Sequence, residues 1–423
     1  MLNIYINLLV QMNKTKKLNE YFAEKISKKG ENYIKNYKIA RDNKRAKQGR
    51  RDVSFLPRTG IFSILKETRM RKKIPRKIIN KVKARLDKLP KRTYKKKLLD
   101  EKYSWGGINK KENNLPACTI DLPIIKVKAK NKNYHKFKHE VTKYPKWKKI
   151  RKSCIVVDED TNRILAIFIY ARDDKNISRC LKNAFRLAEL MDKHLKLKSK
   201  FFYSGYGFKI KNGFDKNVDK HEEQKQKDKY TGKNWLEGLQ NYFHASIGRR
   251  VISYYHRNPA ANYDEEYLEE LLWLYCCLYE LEKRHCPAIA KHRYDLVKDL
   301  NSPGCFPGCP IELNPSTCMG GSISFSSDTH ADSSVRGTTE TIIWRPDKTN
   351  PKPYIFNNSL AEMYFDINED CMIYQVGTDP HGTLNTGNHG GVGFVNLTKK
   401  NLSADTKLVK QWYKLWNNVL NKR

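Results

Sequence analysis

The chain has 423 residues with 83 Lys/Arg against 45 Asp/Glu, a net charge of +38. Residues 1–150 hold 44 Lys/Arg and 12 Asp/Glu, so a basic N-terminal third is joined to a nearly neutral body. That asymmetry excludes an acidic binding module and a uniformly basic, ribosomal type of chain, and 423 residues suffice for at least one sizeable core.

The opening MLNIYINLLV is apolar but short and lacks a basic leader, so it reads as a buried strand or helix start. Nothing approaches the ~20 apolar residues of a membrane span, so no membrane partner is expected. Ten scattered cysteines in a chain of this length point to a reducing compartment, nuclear or otherwise intracellular.

From residue 14 to 152 the chain is dense in Lys and Arg. The densest run holds Arg71, Lys72, Lys73, Arg76, Lys77, Lys81, Lys83 and Arg85. Like charges this close repel one another and stay extended or solvated unless a polyanion neutralises them. Nucleic acid, DNA first, is the polyanion expected, through phosphate contacts and counterion release. Phe55, Phe62, Tyr94, Tyr103, Trp105, Tyr144 and Trp147 lie among the charges, to stack on bases or to pack locally. The plainer alternative is a solvated tail serving solubility or import. Gly106 and Gly107 mark a linker, which sets a basic, partly extended region at 1–115 and a second domain at 116–423.

In the body, two apolar, β-branched runs at 154–157 and 164–170 flank the turn-forming Asp158-Glu-Asp-Thr-Asn162, a β-hairpin pattern. Ser178 can cap a helix carrying Leu181, Ala184, Phe185, Ala188, Met191 and Leu195 at helical spacing. Residues 201–210 read as a strand, 211–233 as an exposed loop and 235–255 as a helix. Leu268, Leu271, Leu272, Tyr275, Leu278 and Tyr279 share one face of a further helix, ended by Pro287. Helical support thus spans about 178–300. Short β-rich runs at 322–325, 338–344, 361–367, 371–376 and 392–397 then alternate with turn residues, as in a sandwich or jelly roll. They place a β-core at about 320–398. A last amphipathic helix, about 404–421, carries Leu408, Trp412, Leu415 and Val419.

Within the β-rich part His330-Ala-Asp332 follows a strand, and alternation along an extended segment puts imidazole and carboxylate on one side. His381 follows another strand. Two histidines and one carboxylate on one face leave coordination positions open, the arrangement of non-haem Fe(II) oxygenases. The alternative is a hydrogen-bonded surface pair with His381 in a loop. Cys305, Cys309 and Cys318, with Cys286, are a competing zinc set, but they lack the Cys-x2-Cys knuckle and suit a reduced core as well. His244, His256 and His292 read as packing residues.

Several segments in order resemble the Tet/JBP-type 2-oxoglutarate/Fe(II) dioxygenases, above all their fungal, transposon-associated branch. These are the entry hairpin CIVVDEDTNRILAIF from Cys154, Asp173-Asp174 with the helix after it, and Tyr206-Gly207-Phe208. Tyr254-Tyr255 and His285-Cys286-Pro287 come next, then His330-Ala-Asp332 and His381. The resemblance covers roughly residues 150–400. It implies an α+β protein with a double-stranded β-helix (jelly-roll) core, flanking helices and a basic N-terminal extension. It implies Fe(II) held by His330, Asp332 and His381, with 2-oxoglutarate as cosubstrate. It further implies oxidation of a methylated base in nucleic acid, of the 5-methylcytosine or thymine type.

One feature departs from the family. The Arg expected about ten residues after the distal His is missing from the stretch 382–391, which contains no Arg or Lys. His389 and Lys399 are the replacements in sequence, Arg336 and Arg345 those from other strands, and Gly391 the position at which to restore an Arg. None equals an Arg fork on a carboxylate. A nucleic-acid-binding accessory protein on an oxygenase fold that has lost or altered its catalysis is therefore the alternative.

Overall fold

The computed structural model describes residues 73–91, 93–106, 115–130, 147–195, 233–244, 249–254, 264–299, 304–325, 327–330, 339–349, 354–384 and 391–397. The chain divides into two compact units, Met1–Thr68 with Asn241–Ile252, and Arg69–Gln240 with Ser253–Arg423. In the first unit only strand segments 241–244 and 249–252 are described. Arg71, Lys72, the strand expected at 201–210 and the helix expected at 404–421 lie outside the described residues.

The second unit is an α+β arrangement of two sheets with helices. Helix α1 (Arg76–Asp87) buries Ile78, Ile79 and Val82. Strands β1 (Ser104–Trp105), β2 (Ile124–Val127) and β3 (Lys148–Ile150) follow. The expected hairpin forms as β4 (Cys154–Asp158) and β5 (Arg163–Tyr170), with Asn162 at φ 54 in the turn, a conformation Asn tolerates. The next helix is broken into α2 (Asn176–Cys180) and α3 (Ala184–Leu195). Ser178 caps neither; its hydroxyl donates to Asp370 Oδ2 at 2.6 Å.

Residues 235–255 correct a sequence expectation. They form strands β6 (Lys233–His244) and β7 (Arg249–Tyr254), not a helix. Gly238 sits at φ 106, which a helix forbids, and its missing side chain lets the strand pass against Thr317 O and Cys305 Sγ. Trp235 and Leu236 pair opposite Gly321 and Gly320. This long-range ladder outweighs the local pattern.

Helix α4 (Glu265–His285) is the central helix. Asp264 caps it by accepting from Tyr267 N at 2.8 Å, Glu265 and Glu266 lie in its first turn, and Lys283, Arg284 and His285 in its last. Each end therefore opposes the helix dipole correctly. The helix stops just before Pro287, as expected, and Pro287 itself opens a further helix, α5 (Pro287–Asp299), that the sequence reading did not set apart.

Eight strands complete the unit: β8 (Cys318–Ile323), β9 (Ser327–His330), β10 (Thr339–Arg345), β11 (Tyr354–Asn358), β12 (Met363–Ile367), β13 (Cys371–Val376), β14 (His381–Leu384) and β15 (Val392–Leu397). The larger sheet runs β2-β4-β5-β13-β10-β15-β8-β6, with β1 beside β5, and the smaller runs β3-β12-β11-β14-β9.

The larger sheet is covered on both faces, and alternation along its strands sorts the side chains. Ile343 of β10 and Met372 and Tyr374 of β13 join the helix-side core with Leu271, Leu278 and Leu281. Trp344, Ile373, Phe168 and Tyr170 turn the other way and pack with Phe356, Met363 and Phe365 of the smaller sheet. The Phe168 and Phe365 rings stack across the sheets at 4.6 Å. The helix-side core already includes Ile74, Tyr103 and Trp105, so it starts some forty residues before the boundary expected at 115.

Candidate metal centre

His381 opens β14, which pairs on one side with β11 and on the other with β9. In the β9 ladder the partner of His381 is His330. Directly opposed residues of an antiparallel pair share a face of the sheet, with Cα atoms roughly 4.5–5.5 Å apart. Two residues 51 positions apart in sequence are thus brought to one place. Asp332 lies outside the described residues.

The His381 imidazole is buried, and its Nδ1 lies 2.8 Å from Asp379 O. A carbonyl only accepts, so Nδ1 carries a proton and donates it to Asp379 O. Asp379 is itself fixed by an ion pair with Arg163, and Phe356 stacks on the imidazole at 6.0 Å. Ring angle and tautomer are both set, as they are for metal-ligating histidines.

Nε2 faces a carboxylate that sequence reasoning does not single out. Glu340 Oε2 is 3.7 Å away and accepts from Gln375 Nε2 at 3.1 Å. Glu340 and Gln375 are ladder partners on β10 and β13, buried on the face toward the smaller sheet. The signal available in sequence was a lone charge inside an apolar strand, Thr339-Glu-Thr-Ile-Ile-Trp344. Among the described residues no group of three or more His, Cys, Asp or Glu side chains forms a metal cage.

The described donors are one imidazole and one carboxylate, ligand types that Fe(II) and its neighbours accept. The carboxylate anchor expected for 2-oxoglutarate is not found among the described residues. Val392 and Phe394 of β15 pack on the helix-side core, so Gly393 takes the opposite face. A Cβ at Gly393 would fall into the Trp344 ring, against Cε3 and Cζ3. The indole fills the space into which a side chain there would project. Gly391 cannot accept an Arg, because its φ is 101 and a Cβ would strike Arg345 O. Arg345 is committed elsewhere, with Nε and Nη2 on the Asp370 carboxylate at 2.9 and 2.6 Å. Arg336, His389 and Lys399 lie outside the described residues. None of the candidate anchors among the described residues is therefore available.

The cysteines do not assemble the zinc set. None of the ten is in a disulfide; Cys286 lies against Cys118, and Cys309 against Cys276. Burial pushes the Cys276 and Cys286 thiols well up, away from thiolate. His285 belongs to a buried chain, with Nε2 2.7 Å from Asp174 Oδ2 and Nδ1 2.9 Å from the Tyr374 hydroxyl.

The basic run is only partly open. Lys77 pairs with Glu265 at 2.6 Å, Lys81 with Glu269 at 3.1 Å, and Arg85 with Glu270 at 3.0 Å. The Arg85 guanidinium also covers the Trp273 ring at 4.3 Å. This face of α1 is neutralised by α4, whereas Lys73, Arg76 and Lys83 are exposed.

No protein-family model and no curated protein matches the chain. A solved structure, described as NgTET1 in complex with 5mC DNA, is similar at 12% sequence identity and a TM-score of 0.36, over 66% of this chain and 83% of that one. No helix among the described residues is long and apolar enough to cross a membrane.

Proposed function

We propose that the β-rich half is a double-stranded β-helix with an Fe(II) centre at His330, Asp332 and His381. The chain would then be a nucleic-acid-directed oxygenase of the Tet/JBP kind acting on a methylated base. Eight consecutive strands divided between two four-stranded runs, β8-β15-β10-β13 and β9-β14-β11-β12, with only the hairpin β11–β12 staying in one sheet, support the jelly-roll reading. The observation that carries the centre is the ladder pairing of His330 with His381, whose ring is locked by Asp379 O.

Bound iron would supply the activation of O₂. The chain's own residues hold its ligands: Asp379 sets the His381 tautomer, Arg163 fixes Asp379, and Phe356 screens the ring from water. The polyanion would lie on the basic N-terminal third, and a target base inside a duplex would have to be flipped out of the stack. Among the described residues no anchor for a 2-oxo acid carboxylate is found, so a reductant of another class is carried beside 2-oxoglutarate as a candidate.

A second reading, a nucleic-acid-binding protein without catalysis, is favoured by the indole that fills the space beside Gly393. Anaerobic Fe(II) titration of the full chain, His330→Ala and His381→Ala tests the centre, followed by aerobic incubation with methylated duplex DNA and ascorbate. One iron per chain, lost in both variants, and an oxidised base found by mass spectrometry are expected. Iron retained in both variants refutes the centre, and iron bound without product leaves the second reading.

A further inference from the structure

A second row of lysines escapes the neutralisation found on α1. Strand β2 is an end strand of the larger sheet, paired with β4 alone. Its side chains alternate, and the alternation runs on past the strand. Ile125, Val127 and Ala129 turn inward and pack on the core that holds Phe168 and Phe365. Lys126, Lys128 and Lys130 turn outward and are exposed. Alternate residues of an extended segment stand about 6.6 Å apart on one face, so the three ammonium groups project as a comb.

The comb is held by its backbone. Ile155 N donates to Pro123 O at 2.9 Å, Glu159 N to Val127 O at 2.8 Å and Ala129 N to Asp158 Oδ1 at 3.0 Å, which ties β2 and its extension to β4 and the turn after it. Lys130 N then donates to Leu360 O of the β11–β12 turn at 2.9 Å. Lys148 N, at the start of β3, donates to Glu362 O of the same turn at 3.0 Å, and the Lys148 side chain is exposed as well. Ser359 N of that turn donates at 3.0 Å to the carbonyl of Pro380, the residue before His381. The comb therefore ends at the turn that borders the candidate centre.

Its charges have little compensation. Lys126, Lys128 and Lys148 make no ion pair among the described residues, although Glu159 and Asp160 are exposed at the neighbouring β4–β5 turn. Lys130 meets Glu362 only at 3.8 Å, with side chains 56% and 43% exposed. Like charges this close lie within the Debye length of about 8 Å at physiological salt and repel one another, a cost that phosphates along the row would remove. Of the apolar side chains on this face only Ile124 is exposed, too little for insertion into a lipid surface.

We propose that Lys126, Lys128, Lys130 and Lys148 form a phosphate-tracking surface that seats a nucleic-acid backbone on edge strand β2 and leads it to the turn beside His381. The proposal rests on the reading above that nucleic acid is the polyanion, and it is independent of whether a metal is bound.

The test uses the full chain and a fluorescently labelled DNA duplex, with binding followed by anisotropy over a series of salt concentrations. Lys126→Gln/Lys128→Gln/Lys148→Gln should lower the slope of log affinity on log salt by about 2.7, at about 0.9 per phosphate contact, without moving the urea midpoint. The control Lys175→Gln/Lys182→Gln/Lys193→Gln removes the same charge from exposed positions of the α2–α3 segment and should keep the wild-type slope. An unchanged slope in the first variant, or an equal fall in the control, overturns the comb while nucleic-acid binding stands. A wild type that binds no duplex overturns the comb together with the polyanion reading. If the first variant loses binding to phosphatidylserine vesicles and keeps its DNA slope, the surface serves a membrane and the proposal is wrong. Should the urea midpoint of the triple variant fall, Lys126→Gln and Lys128→Gln are measured singly: each should lower the slope by about 0.9, and no change in either refutes the assignment.

Discussion

The strand that presents Glu340 is clamped from behind. Arg293 donates from Nε and Nη2 to the two Glu282 oxygens, each at 3.0 Å, and its Nη2 also reaches Thr339 O at 3.0 Å. The Thr341 hydroxyl donates to Glu282 as well. Both neighbours of Glu340 are thereby tied to α4 and α5. Glu282 and Arg293 are 0% and 2% exposed, so removing one partner strands a charge out of water. Arg293→Met keeps most of the volume and leaves the Glu282 carboxylate without its guanidinium, at a cost of about 3–5 kcal/mol. At about 2–4 °C per kcal/mol for a domain of 150–250 residues, the main melting transition should fall by roughly 6–20 °C. The double variant Glu282→Leu/Arg293→Met removes both charges. It should cost only about 1–3 kcal/mol, for the hydrogen bonds lost at Thr339 O and Thr341. Urea denaturation of the full chain, followed by circular dichroism, measures all three. If the double variant equals or exceeds the sum of Arg293→Met and Glu282→Leu, the pair is not coupled and the clamp is refuted.

Three further outcomes are expected. Gly393→Ala should destabilise by about 1–3 kcal/mol through overpacking against Trp344, and Trp344→Leu in the same chain should recover part of that loss; additive losses in the urea midpoint would contradict the contact. Burial would raise the Asp174 carboxyl, but hydrogen bonding and charge from His285, with bonds from Thr93 and Asn176 N, outweigh it and hold the value low. Its contribution is therefore whole above the unfolded value of about 3.9 and fades as pH falls through the folded value. Asp174→Asn should thus cost about 1–3 kcal/mol at pH 7 and progressively less below pH ~4, with a pH-independent difference counting against the linkage. Replacing Lys73, Arg76 and Lys83 with Ala should lower the salt slope of DNA binding by about 2.7, at about 0.9 per phosphate contact, and leave stability unchanged. Arg85→Ala should do the reverse; an unchanged slope in the triple variant removes α1 from the polyanion surface.

Where local pattern and tertiary demand agree, the sequence is easily read. The hairpin β4–β5, helix α4 and strands β13 and β15 have clean apolar periods and clear stop signals. Strands β9, β11 and β14 escape such reading because each is four or five residues long and carries polar or Gly positions, as in His381-Gly-Thr-Leu384. Residues 235–255 mislead because their apolar spacing suits both a helix and a strand, and only the long-range pairing with the Gly320-Gly321 stretch of β8 decides between them. The spacing of His330 and His381 suggests a shared site, and the two positions are ladder partners, while Asp332 lies outside the described residues. Glu340 stayed hidden because one acidic residue in a strand carries no motif. The charge run of α1 overstated the free surface, since the glutamates that neutralise it lie some 190 residues later.

The distribution of departures bears on whether the centre is used. A domain kept only as scaffold gains nothing from burying His381, Asp379, Glu340 and Gln375 together, because well-packed apolar residues of similar volume serve stability as well or better. Yet the support of His381 is complete: Asp379 O fixes its tautomer, Arg163 fixes Asp379, and Phe356 covers the ring. The departures fall on the opposite wall, where β15 offers Gly393 to the Trp344 indole instead of a cation. The enclosed polar cluster around His381 is therefore the part of the fold to test first for function, and the Trp344 indole against Gly393 is what a carboxylate anchor on β15 would have to displace.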